Sequence, residues 1–270
     1  MFSLIYKMIQ LEMIDRVKLL ATENTAISSV LMYGSFAKGE GDAYSDIEFY
    51  IFLNSDANFS KEAWVNRIEE TALFFVNEFG TDVAIFKNMI RGEFHFLDVS
   101  RIDIVKTWEG LVSFEYWENM ILVDKDGKLS EVFQGINKGR PMRNDPENIL
   151  WLQHSLVNMA LFTRNLLLRE EWAHAHNNLT YMHKYLLWLI RIRVDSTVHW
   201  ESPTKKAEQD LPHAWHSRYV ACTSALNEEK LKEAFKECLS LATALFKDFK
   251  APPEILNLIS RIQSENQAGS

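Results

Sequence analysis

The sequence predicts an α+β/α/β protein in two parts: a β-sheet flanked by helices over residues 1–140, then an α-helical bundle over 145–265. Three observations predict it. The first half carries short apolar runs, several of them alternating with polar residues as strands do. Gly139, Pro141, Asp145 and Pro146 then form a cluster of chain breakers. Beyond it, apolar residues recur almost without interruption at helical spacing.

The elements follow in order. Residues 4–22 have helical spacing (Ile5, Met8, Ile9, Leu11, Met13, Ile14, Val17, Leu20). Strands are expected at 28–34, around Val30, Leu31 and Met32, and at 45–53, around Phe49 to Leu53. Residues 61–77 read as a helix with Trp64, Ile68, Leu73 and Phe75 on its apolar side. Thr81 to Phe86 and Glu93 to Leu97 read as strands joined by a turn over 88–92. Ile102 to Val105 and Met120 to Val123 read as further short strands, and Asp126-Gly127 marks a turn. Asp145-Pro146-Glu147 is a helix start, with a capping carboxylate and proline at the first helical position. Helices are expected at 147–169, 172–194, 205–224, 227–249 and 254–264. Pro212 kinks or splits the third, Asn227 caps the fourth, and Pro252-Pro253 separates the last two.

The chain has 270 residues, 47% of them hydrophobic and 24% charged, which is an ordinary globular composition. A formal net charge of -8 argues against a nucleic-acid polymer as partner, because such binders carry a basic patch. It leaves room for a nucleotide whose phosphates are met by a metal ion, and it suits a cationic small substrate. Cys222 and Cys238 sit among apolar neighbours in helical segments and read as buried free thiols. Lys7, Glu12 and Asp15 interrupt the first apolar residues, so no secretory leader is expected. No apolar run is long enough to span a bilayer, and the cytoplasm is the expected location.

The chemistry is concentrated in Tyr33-Gly34-Ser35-Phe36-Ala37-Lys38 and Ser45-Asp46-Ile47-Glu48. Side chains alternate along a strand, so Asp46 and Glu48 project from one face. Two adjacent acids repel each other and need a cation. Oxygen ligands of this kind suit magnesium, which takes one or two carboxylates plus substrate phosphates. The Gly34-Ser35 turn can offer backbone N–H groups and a hydroxyl to the β- and γ-phosphates of a nucleoside triphosphate, with Lys38 a further candidate in the same turn. Glycine is expected at 34 because a Cβ would block the approach of phosphate. Together these features suggest a nucleotidyl transfer site, with Asp46 bridging two metal ions and Glu48 completing the cage. A third acid is needed, and Asp82, Glu93 and Asp98 are the candidates. Phe94 and Phe96 read as core, which turns Glu93 and His95 toward the same cleft if that strand lies beside the one carrying Asp46.

Gly-Ser followed after ten residues by Asp-x-Glu, between two strands, resembles the nucleotidyltransferase superfamily that includes DNA polymerase β and antibiotic adenylyltransferases. The fuller wording is similar to the two-domain lincosamide nucleotidyltransferases: Met32-Tyr33-Gly34-Ser35-Phe36, Gly39-Glu40-Gly41-Asp42, Tyr44-Ser45-Asp46-Ile47-Glu48-Phe49 and Ile90-Arg91-Gly92-Glu93-Phe94-His95-Phe96. The strong part covers residues 30–97, with looser likeness at Leu187 to Arg191 and Trp200 to Asp210. The resemblance implies a nucleotidyltransferase domain with a mixed sheet and a helical domain that shapes a drug pocket. It implies magnesium-dependent transfer of AMP from ATP to a hydroxyl of lincomycin or clindamycin. Asp46 and Glu48 would be the metal ligands, Glu93 the general base, and the protein a homodimer. The alternatives are the same chemistry on an aminoglycoside, or a nucleotide-binding regulatory protein whose helical half takes a protein partner.

The remaining signals have plainer readings. His95 reads as a hydrogen-bonded structural histidine. Trp172, His174 and His176 lie two apart at a helix start, whereas helical metal ligands fall three or four apart, so they read as a boundary and a solvated face. Arg191, Lys205 and Lys206 are candidates to reach phosphate from the second domain, but singly read as surface helix residues. Trp151, Trp188, Trp200 and Trp215 read as core more than pocket. Arg193 and His199 have the spacing of a ribonuclease motif of helical toxin domains, read here as coincidence.

Overall fold

The computed structural model describes residues 8–55 and 58–268, with side chains of the last helix described as far as Ser264. The chain divides into two compact units, the boundary falling between Pro141 and Met142.

The first unit is built on a sheet. Helix α1 (Ile9–Glu23) buries Met13, Ile14, Val17, Leu20 and Ala21, a stripe with helical period, and packs on the sheet. Residues 4–7 of the expected helix lie outside the described residues. Strand β1 (Ile27–Met32) is buried along its whole length. One turn of helix, α2 (Gly34–Ala37), follows it at once, so the strand expected to reach 34 ends two residues earlier. Strand β2 (Ile47–Leu53) alternates: Ile47, Phe49 and Ile51 are buried, while Glu48 and Tyr50 are half-buried. Short α3 (Lys61–Val65) leads to β3 (Thr71–Val76), β4 (Asp82–Phe86) and β5 (Arg91–Asp98). A run of 3-10 turns covers Val99–Trp108. Helix α4 (Trp117–Met120), strand β6 (Ile121–Asp124) and helix α5 (Lys128–Gln134) complete the unit. The strand order is β3-β4-β5-β2-β1-β6. Every neighbouring pair is antiparallel except β2 and β5, which run parallel. The sheet is therefore mixed, as the resemblance implied.

Two expectations fail here. Residues 61–77 are not one helix: α3 stops at Val65, and Thr71–Val76 is an edge strand paired with β4. Asn66 makes the break, its side chain accepting hydrogen bonds from both the N–H and the hydroxyl of Thr71. Ile102 to Val105 is not a strand. Asp98 caps the segment by accepting from Ser100 N–H, and Ile102 and Val105 are buried three residues apart, one turn of a 3-10 helix.

The second unit is helical. Helix α6 (Pro146–Leu168) starts where expected, with Asp145 accepting from Asn148 N–H. Helix α7 (Trp172–Arg193) packs against it. The third expected helix is split, into α8 (Ala207–Asp210) and α9 (His213–Ala221), and Pro212 sits at the break. Helix α10 (Glu228–Asp248) is capped by Asn227, which accepts from Lys230 N–H, and α11 (Pro253–Ala268) closes the chain. Helices α6, α7, α10 and α11 enclose one core that includes Leu156, Met182, Leu186, Phe235 and Ile259. Cys222 and Cys238 are buried free thiols in it.

Candidate active site

The site forms where β1 ends and β2 begins. After Met32 the chain turns sharply at Gly34, whose φ of +75° favours glycine. The N–H of Tyr33 donates to the carbonyl of Glu48, which ties this turn to the head of β2. A Cβ on Gly34 would lie 1.5 Å from Oε2 of Glu48. The positive φ favours glycine first, and any Cβ there would also have to push the Glu48 carboxylate aside. Ser35 and Lys38 follow in the same turn, both half-buried, with the carbonyl of Ser35 accepting from Glu40 N–H.

Asp46 and Glu48 fall on the same side of β2, opposite buried Ile47 and Phe49. Glu93 on β5 lies directly across from Glu48 in the parallel register. The three acids therefore share one face. Arg91 belongs to it as well. Its Nη1 donates to Oδ2 of Asp46 at 2.6 Å, and its Nη2 donates to Oε1 of Glu93. Partial burial pulls against the Arg91 charge, but the hydrogen bonds to Asp46 and Glu93 outweigh it and leave its pKa above the ordinary value.

An aromatic group supports the other oxygen of Glu93. The Tyr33 hydroxyl donates to Oε2 at 3.1 Å and lies 3.0 Å from Nε2 of His95. Burial, then the charges of Glu48 and Glu93, push the Tyr33 hydroxyl far above its ordinary pKa, so it keeps its proton. That single proton goes to Glu93, so His95 donates its Nε2–H to the tyrosine oxygen. His95 stacks on Tyr50 with ring centres 4.2 Å apart and planes 7° from parallel. Burial, opposed by Glu93 and Asp82, lowers the His95 pKa.

Two of the three candidate third acids lie elsewhere. Asp82 is opposite Phe94 in the β4–β5 pairing, on the other face from Glu93, and its carboxylate binds Lys61. Asp98 is taken up by Ser100 and Ser55. Sequence reasoning assigned no role to Arg91 or Tyr33. The signal for Arg91 was there: it stands two residues before Glu93 on a strand, so it must share its face.

The donor set fits magnesium. Asp46 and Glu48 are two carboxylates on one face, and the Gly34 turn lies against the Glu48 carboxylate. Among the described residues no group of three or more His, Cys, Asp or Glu side chains is gathered as a complete metal cage. Substrate oxygens would have to complete the coordination shell.

In the second unit, Arg191 is neither a surface residue nor a candidate for phosphate. It is fully buried, and its guanidinium donates to the carbonyls of Pro203, Ser196 and Lys205 and to the carboxylate of Asp210. It thereby joins the two stretches of looser likeness, Leu187 to Arg191 and Trp200 to Asp210. His199 is also buried on Asp210, whereas Arg193 is exposed and pairs with Asp248, so these two engage different partners. His174 is exposed beside Glu171, and His176 reaches the Ser224 carbonyl. Trp188, Trp200 and Trp215 are half-buried against the helical core, as expected, and Trp151 alone of the four is not. Trp151 is exposed, Trp188 and Trp200 stack at 5.3 Å, and Arg143 and Lys184 lie over their rings.

Comparison with known proteins bears on the class. Residues 145–263 match a family described as "Lincosamide nucleotidyltransferase-like, C-terminal domain". No curated protein matches. Among solved structures, the chain has a TM-score of 0.45 and 12% identity to an aminoglycoside 6-adenyltransferase from Bacillus subtilis, covering 94% of this chain and 98% of that one. It has a TM-score of 0.34 and 14% identity to a nucleotidyltransferase-like protein from Exiguobacterium sibiricum, covering 88% of this chain and 78% of that one. At those scores neither likeness carries weight on its own. The class rests on the family match, which places the helical half among nucleotidyltransferase-like proteins. Residues 145–263 thus match a lincosamide nucleotidyltransferase-like C-terminal domain, in line with the resemblance carried by residues 30–97. Among the described residues no helix is long and apolar enough to cross a membrane.

Proposed function

We propose that this protein inactivates a lincosamide by transferring AMP from ATP to one of the drug's hydroxyl groups, with release of pyrophosphate. The observation that carries the reading is the shared face of Asp46, Glu48 and Glu93, with Glu48 and Glu93 level across a parallel strand pair beside the Gly34 turn. Asp46 and Glu48 would hold the magnesium, two ions in the full complex. The metal, when bound, supplies positive charge against the phosphates and the leaving pyrophosphate. Gly34, Ser35 and Lys38 hold the triphosphate tail. Glu93 takes the proton of the attacking hydroxyl, whose oxygen bonds to the α-phosphorus as the bond to pyrophosphate breaks. Tyr33 and Arg91 fix the Glu93 carboxylate from both sides. A role in the cytoplasm, where ATP and magnesium are plentiful, and a homodimeric state go with this reading.

Incubation with clindamycin, ATP and magnesium is expected to give a product heavier by one AMP unit by mass spectrometry, with equimolar pyrophosphate. No adduct with any lincosamide would remove the substrate assignment, and an adduct with an aminoglycoside alone would replace it. Nucleotide binding without pyrophosphate release in either case would favour a regulatory protein.

A further inference from the structure

Arg91 sits level with Asp46. Gly92 pairs with Ile47 in the parallel register, so the residues before them stand side by side. The Arg91 guanidinium closes on Oδ2 of Asp46 with one nitrogen and on Oε1 of Glu93 with another. At 2.6 Å this is a charge-assisted hydrogen bond, so Oδ2 is already engaged by the guanidinium. A metal ion approaching that oxygen meets the guanidinium there. The pair is also open to solvent: the Arg91 and Asp46 side chains are 39% and 37% exposed. Ion pairs this exposed are weak, and a divalent ion carries twice the charge.

We infer that Arg91 is a built-in competitor for the cation seat at Asp46. It holds Asp46 and Glu93 in register, then surrenders Asp46 to the divalent ion while remaining on Glu93. The inference rests on the reading of Asp46 and Glu48 as the metal pair. It makes a prediction opposite to that of a purely structural arginine. If Arg91 only braces the acids, its loss loosens them and weakens metal binding. If it competes, its loss strengthens metal binding.

The test is Mn2+ binding to the full chain without nucleotide, followed by the electron paramagnetic resonance of free Mn2+. Arg91→Gln is expected to lower the Mn2+ Kd about threefold to fivefold, the scale of an exposed ion pair. Arg91→Lys keeps a cation in reach and should stay nearer the parent. Asp46→Asn should weaken binding. An unchanged or higher Kd in Arg91→Gln, together with weakened binding in Asp46→Asn, overturns the inference and leaves the metal pair standing. Mn2+ binding untouched by Asp46→Asn overturns the metal pair itself, and no Mn2+ binding by parent or Arg91→Gln overturns the inference. Should Arg91→Gln fail to fold, the Nε–H resonance of Arg91 in the parent answers the same question. It should shift saturably as Mg2+ is added, and metal binding with no such shift overturns the inference.

Discussion

One missing methyl group shapes the site at the residue scale. Because Gly34 has no Cβ, the turn after β1 can settle on the Glu48 carboxylate. The sequence announced the glycine, the acids and their alternation, and so Glu93 could be singled out from three candidates. It did not announce that Tyr33, read only as part of the wording of a motif, would reach Glu93 across the sheet. That contact depends on β1 and β5 both flanking β2, which no local pattern reveals. Glu93→Gln keeps the shape of the side chain but removes the carboxylate proposed as the base. Turnover is expected to fall by about a hundredfold or more, the usual worth of a general base, with ATP affinity nearly unchanged. Steady-state kinetics and calorimetric titration with an unreactive ATP analogue check this. A matching loss of ATP affinity would make Glu93 a metal ligand instead.

Elements were legible where an end was signalled and obscure where it was not. Asp145 with Pro146, Asn227 and Pro212 each marked a boundary that the structure keeps. The misread helix at 61–77 contains no glycine or proline to mark its break. Its second half is an edge strand with Leu73, Phe75 and Val76 exposed, so no alternating burial betrayed it. Ile102 and Val105 misled through apolar, β-branched composition, because a three-residue period is short enough to pass for a strand. The segment from Ser196 to Asp210 is held by contacts invisible to any period. Arg191 lies inside it with Asp210 as its carboxylate partner, and His199 leans on the same carboxylate. Asp210→Ala would leave a buried guanidinium uncompensated and is expected to destabilise the fold by about 3–5 kcal/mol. Urea unfolding measures it, and a loss below about 1 kcal/mol would mean the carbonyls of Ser196, Pro203 and Lys205 suffice.

At the scale of the whole molecule, a sheet-built core and a helical core each hold a half-buried histidine at their edge. Burial lowers the pKa of His95 in the first unit and, against the pull of the Cys222 carbonyl, that of His183 in the second. Each folded imidazole binds a proton less readily than the unfolded one, whose ordinary value is 6.5. As pH falls through that value the unfolded chain gains protons first, so this stability is full above it and lost below it. The melting temperature is therefore expected to drop between pH 7.5 and pH 5.5, values chosen to lie about one unit either side of the ordinary histidine pKa. His183→Gln should flatten the slope, and an unaltered slope in that variant would show that His183 titrates alike in both states.

The parallel pairing of β2 with β5 has one more consequence. Glu48 and Glu93 stand 45 residues apart along the chain, yet rung-by-rung hydrogen bonding alone decides that they meet. Lengthening the loops that lead to β3 or β4 would leave their separation untouched. Sliding β5 by a single residue would carry Glu93 through to the side where Phe49 and Phe94 stack, and sliding it by two would strand it about 6.6 Å along the strand. Natural variation in this protein should therefore tolerate insertions between the strands far better than any shift within them.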